Sequence, residues 1–391
     1  MKKHCVILAP AYPLRGGLAS FNERLAREFQ QQGYQVTIFT FSLQYPGLLF
    51  PGKTQYSDDP PPKDLQIEVV VNSINPLNWW KVGQRLRRLR PDLIVVRYWI
   101  PFMGPCLGTI LRLARRNGHT KTIAIVDNLI PHERRPGDRL FTRYFTAAIH
   151  GFIVMSRQVE KQLRAFIPSA EVKYTPHPMY DNYGEKVSRQ EALQALQLPE
   201  DQQYLLFFGF IRKYKGLDIL LKAMADSRIQ ALGVKLLIGG EFYDDDASYR
   251  SIIEEHQLQD HIILHNHYIS NEQVKNYFCA ADLVVQPYRT ATQSGISQLA
   301  FYYSKPMVAT RVGGLTEIIS DKVDGYLVDV DPTAIADAIV DYYQSNRLDE
   351  LTMAVERKKK HFSWDTLVDC IESVSQKLDP ASLSTTSSHD H

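Results

Sequence analysis

Three cations are concentrated in the segment GFIRKYKG, which covers residues 209–216. They are Arg212, Lys213 and Lys215, and they lie between Gly209 and Gly216. Glycine lets the backbone approach a ligand closely, arginine binds phosphate oxygens bidentately, and lysine adds a compact positive charge. The segment therefore predicts a binding site for a diphosphate. The alternative interpretation is a basic loop exposed to solvent.

A second anion-binding position is predicted at Ser294, Gly295 and Ile296. These residues follow a short apolar run, 283–285, which is typical of a buried parallel strand, and they lead into a predicted helix over 296–303. The first N–H groups of a helix have no intrahelical acceptor, and the positive end of the helix dipole also attracts an anion there. The alternative is that Gly295 only makes a tight turn.

Strands are predicted directly before both segments, over 204–208 and 283–285, and a further strand over 234–238 leads into Gly239, Gly240 and Glu241. Helices are predicted over 217–224 and 296–303, and a strand over 307–310. Because the carboxyl ends of parallel strands meet at one edge of a sheet, we expect the cationic segment, Glu241 and the Gly295 region at the same edge.

The first half of the chain begins with the same strand, turn, helix and strand pattern. The predicted strand over 4–9 is followed by a loop ending in Gly16 and Gly17, a helix over 18–32 and a strand over 35–41. The two glycines do not fit the G-x-G-x-x-G spacing, and the second strand ends in Thr-Phe-Ser with no acid for a ribose. This counts against a nicotinamide-binding site.

Strands alternate with helices through most of the chain, which predicts an α/β protein with two Rossmann-like, doubly wound domains facing each other across a cleft. We expect an N-terminal domain over 1–180, completed by a C-terminal helix over 362–378, and a second domain over 181–361. The proline-rich stretch 168–185 is interpreted as the end of the first domain and a linker. The polar segment 379–391 is predicted to be disordered.

A chain of 391 residues with 23% charged residues and a net charge of +2 has the composition of a globular protein, and its overall charge gives no reason to expect nucleic acid. The cations are uneven, however, with clusters over 81–90, 112–116 and 132–143. A solvated face is one explanation. A surface that docks on anionic lipid or an anionic substrate is the other.

The four cysteines are scattered without paired spacing, as in reduced cytosolic proteins. No segment has the ~18 consecutive apolar residues of a membrane span. Asp244, Asp245 and Asp246 precede a predicted helix, where acids favour the N-terminus, and no further ligands are spaced for a hard cation. We therefore predict a cytoplasmic protein, at most peripheral to the inner face of a membrane, without a metal site.

The run FFGFIRKYKGLDILLKA resembles the G-R-L-x-x-x-K-G segment of retaining GT-B glycosyltransferases, in particular the GT4 or group 1 family. Further stretches are similar to the motifs of that family in the same order, and together they cover nearly the whole chain. These stretches are RGGLASFNERLAREFQQQGYQVTIFT, FIVMS, CAADLVVQPY and KPMVATRVGGLTEIISDKVDGYLV.

This resemblance implies transfer of a sugar from a UDP- or GDP-linked donor to a carbohydrate or lipid-linked acceptor, with retention at the anomeric carbon and without metal or cofactor. It places the donor mainly in the second domain and the acceptor mainly in the first, and it suggests synthesis of a polysaccharide, glycolipid or glycoconjugate. Lys215 and Arg212 would neutralise the leaving diphosphate. Gly16 and Gly17 would let the first loop approach the donor phosphates or the acceptor.

The chain departs from the family pattern in two respects, the acidic pair and the arginine after the glycine. The usual pair of glutamates around the Gly295 loop is replaced by neutral residues, with Thr292 and Gln293 near the first position and Gln298 and Leu299 at the second. An amide can hydrogen-bond a hydroxyl but supplies no charge. Phe210 replaces the arginine that usually follows the glycine, so Arg212 is expected to take its place. The acceptor-side histidine of the family is assigned to His132, with a surface position as the alternative.

Two other functions remain open from the sequence. One is a glycosyltransferase-like protein that binds a nucleotide without turnover, which the missing acidic pair favours. The other is a GT-B enzyme of a different reaction class, a nucleotide-sugar epimerase or a phosphorylase, which the paired glycines after the first strand disfavour.

Overall fold

The computed structural model of the protein describes residues 2–46, 54–57, 60–129, 136–243, 245–291 and 294–378. The chain divides into two compact units. Unit 1 runs to His177 and resumes at Trp364, and unit 2 is Pro178–Ser363. Each unit is built around its own parallel sheet and its own hydrophobic core.

Unit 1 contains a seven-stranded parallel sheet in the order β3-β2-β1-β4-β5-β6-β7. The central strands are nearly continuous apolar runs, as expected for strands covered on both faces. The strands are β1 (His4–Leu8), β2 (Gln35–Leu43), β3 (Ile67–Asn72), β4 (Leu93–Tyr98), β5 (Lys121–Val126), β6 (Gly151–Val154) and β7 (Glu171–Tyr174). The helices between them are α1 (Gly17–Gln31), α2 (Pro76–Leu89), α3 (Gly104–Arg115), α4 (Asp138–Thr146) and α5 (Arg157–Phe166).

Unit 2 contains a six-stranded parallel sheet in the order β10-β9-β8-β11-β12-β13. Its strands are β8 (Tyr204–Phe208), β9 (Lys235–Gly239), β10 (Ile262–His265), β11 (Leu283–Gln286), β12 (Met307–Thr310) and β13 (Gly325–Val328). Its helices are α6 (Arg189–Leu196), α7 (Leu217–Met224), α8 (Ser227–Leu232), α9 (Ala247–Glu255), α10 (Asn271–Ala280), α11 (Gly295–Tyr302), α12 (Leu315–Ile318), α13 (Pro332–Gln344) and α14 (Leu348–Lys358).

The last helix, α15 (Trp364–Lys377), belongs to unit 1. It packs against α1 and against β5, β6 and β7. The ring of Trp364 lies 4.8 Å from the ring of Phe21, measured between centroids, and Lys121 Nζ donates to the carbonyl of Ser375 at 3.0 Å. The chain therefore leaves unit 1 to form all of unit 2 and then returns.

Both sheets reverse direction beside their first strand. In unit 1 the chain builds outward from β1 to β3 and then crosses to β4 on the other side, and in unit 2 it builds from β8 to β10 and then crosses to β11. This is the doubly wound arrangement, so the prediction of an α/β protein with two such sheets is confirmed. Ligands of doubly wound sheets bind at the carboxyl ends of the two strands that flank the reversal.

Strand β7 was not predicted. Residues 171–174 lie in the proline-rich stretch interpreted as the end of a domain and a linker, but they form β7, the edge strand of the first sheet. Only Val172 of this strand is fully buried, because an edge strand is covered less than a central one. The sequence therefore lacks the continuous apolar run by which the central strands were recognised.

Candidate functional site

The ammonium group of Lys215 lies beside Gly209. A Cβ atom built on Gly209 would be 2.9 Å from Lys215 Nζ and 3.2 Å from Cδ1 of Ile296. Gly209 directly follows β8, and Ile296 is in the first turn of α11, the helix after β11. The two segments singled out in the sequence therefore meet at the carboxyl edge of the second sheet, beside its point of reversal.

The cationic loop is held by backbone contacts to two neighbouring loops. Gly209 donates to the carbonyl of Gly239 at 2.8 Å, and Ile211 donates to the carbonyl of Glu241 at 2.9 Å. At the other end, a Cβ on Gly216 would lie 2.0 Å from the carbonyl oxygen of Pro287, so only glycine fits there. The loop backbone is thus fixed between the ends of β9 and β11.

Lys215 is buried, with 7% of its surface exposed, in a single 3₁₀ turn at residues 213–215. Burial, reinforced by the nearby charge of Arg212, lowers the pKa of the Lys215 ammonium to about 7. Among the described residues no carboxylate forms an ion pair with it. A buried cation without a protein counter-ion creates a position at which an anion is strongly favoured.

Arg212 occupies a different environment from Lys215. It is exposed, and its Cζ lies 4.5 Å from the ring centroid of Tyr243, in the loop after β9. Phe210 contacts the same tyrosine, with 4.7 Å between ring centroids. Arg212 is therefore close enough to influence Lys215 electrostatically, while its exposed side chain lies against the loop after β9.

Ser294 caps the helix that carries Gly295 and Ile296. Its Oγ accepts a hydrogen bond from the backbone of Ser297 at 3.4 Å and from Gln286 Nε2 at 3.2 Å. Ser297 Oγ in turn donates to Gln286 Oε1 at 2.8 Å. The amides of Gly295 and Ile296 remain at the start of the helix, where N–H groups have no intrahelical acceptor.

Gln298 is fully buried in α11, with 0% of its surface exposed, and neither Oε1 nor Nε2 has a hydrogen-bond partner in the part of the chain that the structure describes. An unsatisfied buried amide costs about 1–3 kcal/mol. Such groups are rare in native proteins and call for a specific explanation. Gln298 occupies the position at which the family resemblance expects the second acidic residue.

The remaining predicted residues are distributed over both units. Glu241 is buried two residues after the end of β9, beside the cationic loop. Gly16, with φ of 100°, precedes α1 in unit 1, and Gly17 is the first residue of that helix. His132 and Gln293 lie outside the described residues.

An ion pair that sequence reasoning missed lies at the carboxyl edge of the first sheet. Arg97, at the end of β4, donates from Nε to Asp127 Oδ2 at 2.6 Å and from Nη2 to Asp127 Oδ1 at 2.5 Å. Arg97 Cζ lies 3.8 Å from the ring centroid of Phe21, and Nη1 has no partner among the described residues. Burial raises the pKa of Asp127, and Arg97 opposes that shift. The signal in the sequence was an arginine within an otherwise apolar strand.

Asp245 and Asp246, the described residues of the acidic run before α9, accept local hydrogen bonds. Asp246 Oδ2 accepts from Arg250 Nε at 2.8 Å, and Asp245 Oδ1 accepts from the backbone of Ala247 at 3.2 Å. Across residues 2–378, apart from the gaps given above, no three histidine, cysteine or acidic side chains are placed to hold a metal ion. None of the described helices is both long and apolar enough to cross a membrane.

Two doubly wound parallel sheets, one with a cationic loop at its reversal, define the GT-B class of glycosyltransferase folds. The model of the Glycosyltransferase Family 4 domain matches residues 15–179, and the model of Glycosyl transferases group 1 matches residues 188–361. The chain belongs to the group 1, GT4-type glycosyltransferases.

Related sequences agree with this assignment. An uncharacterised glycosyltransferase of Methanocaldococcus jannaschii is 26% identical over 306 residues, covering 77% of this chain and 80% of that protein. The D-inositol 3-phosphate glycosyltransferase of an Arthrobacter species is 26% identical over 342 residues, covering 80% and 78%.

Among solved structures, sucrose-phosphate synthase from Thermosynechococcus elongatus superposes with a TM-score of 0.74 at 18% identity, covering 96% of this chain and 99% of that one. Anabaena HepE, in complex with UDP and glucose, superposes with a TM-score of 0.71 at 17% identity, covering 96% and 100%. At these identities the likeness concerns the fold.

Proposed function

We propose that the protein is a retaining glycosyltransferase that moves a sugar from a UDP- or GDP-linked donor to a hydroxyl group of a carbohydrate or lipid-linked acceptor, without a metal ion. One observation carries the proposal. The buried ammonium of Lys215 lies next to Gly209, which also adjoins Ile296 at the start of α11, and it has no carboxylate partner among the described residues. A diphosphate matches both the charge and the N–H donors of this position.

The chemistry requires stabilisation of a leaving group. The bond between the anomeric carbon and the phosphate oxygen breaks, and its electron pair stays on the diphosphate, whose negative charge therefore increases. Lys215 and the first amides of α11 stabilise that charge, and Arg212 adds a longer-range contribution. The acceptor hydroxyl attacks from the face that the diphosphate leaves, and its proton passes to the departing phosphate oxygen. Configuration at the anomeric carbon is retained.

Gln298 supports a nucleotide sugar rather than an isolated diphosphate. Its side chain is buried at the end of the first turn of α11, and its two polar atoms are unsatisfied among the described residues. A ribose hydroxyl can both donate to Oε1 and accept from Nε2, which would satisfy the amide without requiring a charged residue. In this proposal Gln298 holds the ribose, Gln293 contacts the transferred sugar, and Glu241 helps to enclose the donor.

The acceptor side is assigned to unit 1. Gly16 and Gly17 lie at the loop after β1. His132, which follows β5 in the sequence, is assigned from the sequence alone to the role of the family's acceptor-side histidine. The relatives named above add support, since one is named a D-inositol 3-phosphate glycosyltransferase and another was solved with UDP and glucose.

The test compares Lys215→Met with Lys213→Met, which removes an exposed cation from the same loop. Binding of UDP and GDP is measured by calorimetry, and turnover by release of UDP from UDP-glucose or of GDP from GDP-mannose, with product analysis by mass spectrometry. We expect Lys215→Met to reduce turnover at least 100-fold and Lys213→Met to reduce it less than threefold.

Equal rates for the two variants would remove Lys215 from the reaction. Tight nucleotide binding without product, over a panel of nucleotide sugars and acceptors, would favour the binding protein without turnover. Release of a free epimerised sugar would assign the chain to the epimerase class instead.

A further inference from the structure

Helices α2, α3 and α4 form one continuous layer on a single face of unit 1. They are packed closely, because glycines lie at their contacts. A Cβ on Gly83 of α2 would be 2.7 Å from Cβ of Leu113 in α3, and a Cβ on Gly108 of α3 would be 2.8 Å from the ring of Tyr144 in α4. The layer is rigid enough to present its outer side chains as one surface.

Large apolar side chains project from the beginnings of two of these helices. Leu77 and Trp80 of α2 are 74% and 54% exposed, and Leu140 of α4 is 67% exposed. Ile74, just before α2, and Phe141 of α4 are exposed as well. The neighbouring Trp79 shows the contrast, since it packs against the core and donates from Nε1 to the carbonyl of Asn72 at 2.7 Å. Trp80 therefore points outward while its neighbour faces the core.

The same three helices are strongly basic. Their cations are Lys81, Arg85, Arg87, Arg88, Arg112, Arg115, Arg139 and Arg143, and their one acidic residue is Asp138. An open depression of about 350 Å³ lies where α2 and α3 end, and it is lined by Gln84, Arg87, Arg88, Arg90, Arg116 and Asn117. No carboxylate is among these lining residues, so the depression attracts anions.

On α2, the apolar and basic side chains lie on one stripe. Leu77, Trp80, Gln84 and Arg88 are spaced by three or four residues and project from the same side of the helix, opposite the buried Val82 and Leu86. The stripe is apolar where the helix begins and cationic where it ends. A helix with Trp and Leu beside arginines suits the boundary between acyl chains and anionic headgroups.

We propose that the outer surface of α2, α3 and α4, here called the docking face, binds an anionic lipid membrane. Leu77, Trp80 and Leu140 enter the boundary between headgroups and acyl chains, and the arginine-lined depression binds headgroup phosphates. Since the helices of this layer run antiparallel to the strands they connect, the apolar ends of α2 and α4 lie at the carboxyl edge of the sheet. Arg97 and Asp127 end their strands at this edge, so a lipid-linked acceptor would arrive beside it.

A nucleic acid would satisfy the cations but not the apolar groups. Exposed cations bind the phosphate backbone of a nucleic acid, but this type of binding gives no role to Leu77 and Leu140, whose aliphatic side chains are exposed to water. The membrane explains both classes of side chain with one partner, and it does not depend on the sugar-transfer chemistry proposed above.

The test is co-sedimentation of the full chain with vesicles of phosphatidylcholine alone or with 30% phosphatidylglycerol. We expect binding to the anionic vesicles only, with at least a tenfold loss between 0.05 and 0.5 M NaCl. Leu77→Ser/Trp80→Ser and Arg87→Glu/Arg88→Glu should each weaken binding at least tenfold. Matched controls in unit 2, Val323→Ser/Met353→Ser and Arg357→Glu/Lys360→Glu, should bind as the unchanged protein does.

The proposal is overturned if the protein does not bind anionic vesicles, or if the unit 2 control substitutions weaken binding as much as the docking-face substitutions do. Loss of binding in the arginine variant alone, with equal affinity for an oligonucleotide, would replace the membrane by a general polyanion. Far-ultraviolet circular dichroism checks folding, and UDP binding is measured in all variants. If a variant no longer binds vesicles but still binds UDP, then membrane binding has failed independently of the nucleotide site. If the protein binds vesicles but transfers no sugar, then the proposed glycosyltransferase activity has failed and the membrane proposal stands.

Discussion

Lys215 Nζ lies 5.7 Å from the ring centroid of Tyr288, so the buried ammonium faces an aromatic ring and no described carboxylate. A ring face stabilises a cation less than an ion pair does. Burial, reinforced by the charge of Arg212, therefore lowers the pKa of Lys215 to about 7 before any ligand is bound. A bound diphosphate would restore the charge by supplying the missing anion.

The first prediction follows from this linkage. UDP should bind more weakly as the pH rises above 7, because the nucleotide-free protein loses the Lys215 proton that the complex retains. Calorimetry in two buffers of different ionisation enthalpy should detect proton uptake on binding near pH 8. In Lys215→Met the uptake should disappear, and uptake of equal size in that variant would contradict the assignment.

The same shift predicts a pH dependence of stability. Between pH 7 and about 10.5 the unfolded chain holds the Lys215 proton and the folded chain does not, so this group makes the free energy of unfolding rise with pH across that window. Urea denaturation at several pH values should show a steeper rise for the unchanged protein than for Lys215→Met. A parallel pair of curves would contradict the lowered pKa.

Gly209→Ala should displace the ammonium. The new Cβ would lie 2.9 Å from Lys215 Nζ, and the backbone φ of 95° adds strain. We expect at least a tenfold loss of UDP affinity together with about 1–2 kcal/mol of stability. Gly233→Ala is the control, because Gly233 also has positive φ, at 69°, but open space around it. It should lose stability to a similar degree and keep its affinity, and equal loss of affinity would mean that strain alone is responsible.

Gln298→Leu should separate stability from binding. Removing a buried amide that lacks partners should raise the free energy of unfolding by about 1 kcal/mol, while nucleotide affinity falls because the ribose loses its contact. Gln286→Leu is the matched control, since that amide is bonded to Ser294 and Ser297. It should lose stability instead. Thermal unfolding with and without UDP measures both effects, and a destabilised Gln298→Leu would show that the amide has a partner after all.

Asp127→Asn should be strongly destabilising, by about 3–5 kcal/mol, because it leaves the Arg97 charge buried without compensation. The double variant Arg97→Met/Asp127→Leu should recover much of that loss. For comparison, Glu350→Gln removes the partner of Arg347 in an exposed pair and should cost less than 1 kcal/mol. Urea midpoints measure all three, and a loss below 1 kcal/mol in Asp127→Asn would contradict a compensating role.

The sequence predicted the elements best where a glycine or proline marks the boundary of an apolar run. Gly216 and the apolar residues after it predicted α7 over 217–224, and Pro306 predicted the beginning of β12 at Met307, both as observed. The strand β7 was missed because an edge strand with one buried residue has little hydrophobic pattern to recognise. The hydrophobic pattern of a sequence reflects which side chains are buried, so it does not predict an element whose side chains are only partly buried.

For the candidate site, the sequence indicated the loop but not the environment of its side chains. Glycines and cations identified Lys215, whereas its burial and the approach of its loop to Ile296 at Gly209 depend on how β8 and β11 lie in the sheet. Arg97 and Asp127 are thirty positions apart, and they meet only because β4 and β5 pair in register. Such relationships arise from tertiary structure and leave no local pattern.

The return of the chain to unit 1 has a consequence for its synthesis. Since α15 covers β5, β6 and β7, the first sheet keeps an apolar face open until residues 364–377 have left the ribosome. Unit 2 has all of its strands by that time. Unit 2, which is translated later, can therefore finish folding before unit 1. A truncation after residue 363 should leave unit 1 with an exposed apolar face that is prone to aggregation and requires a chaperone.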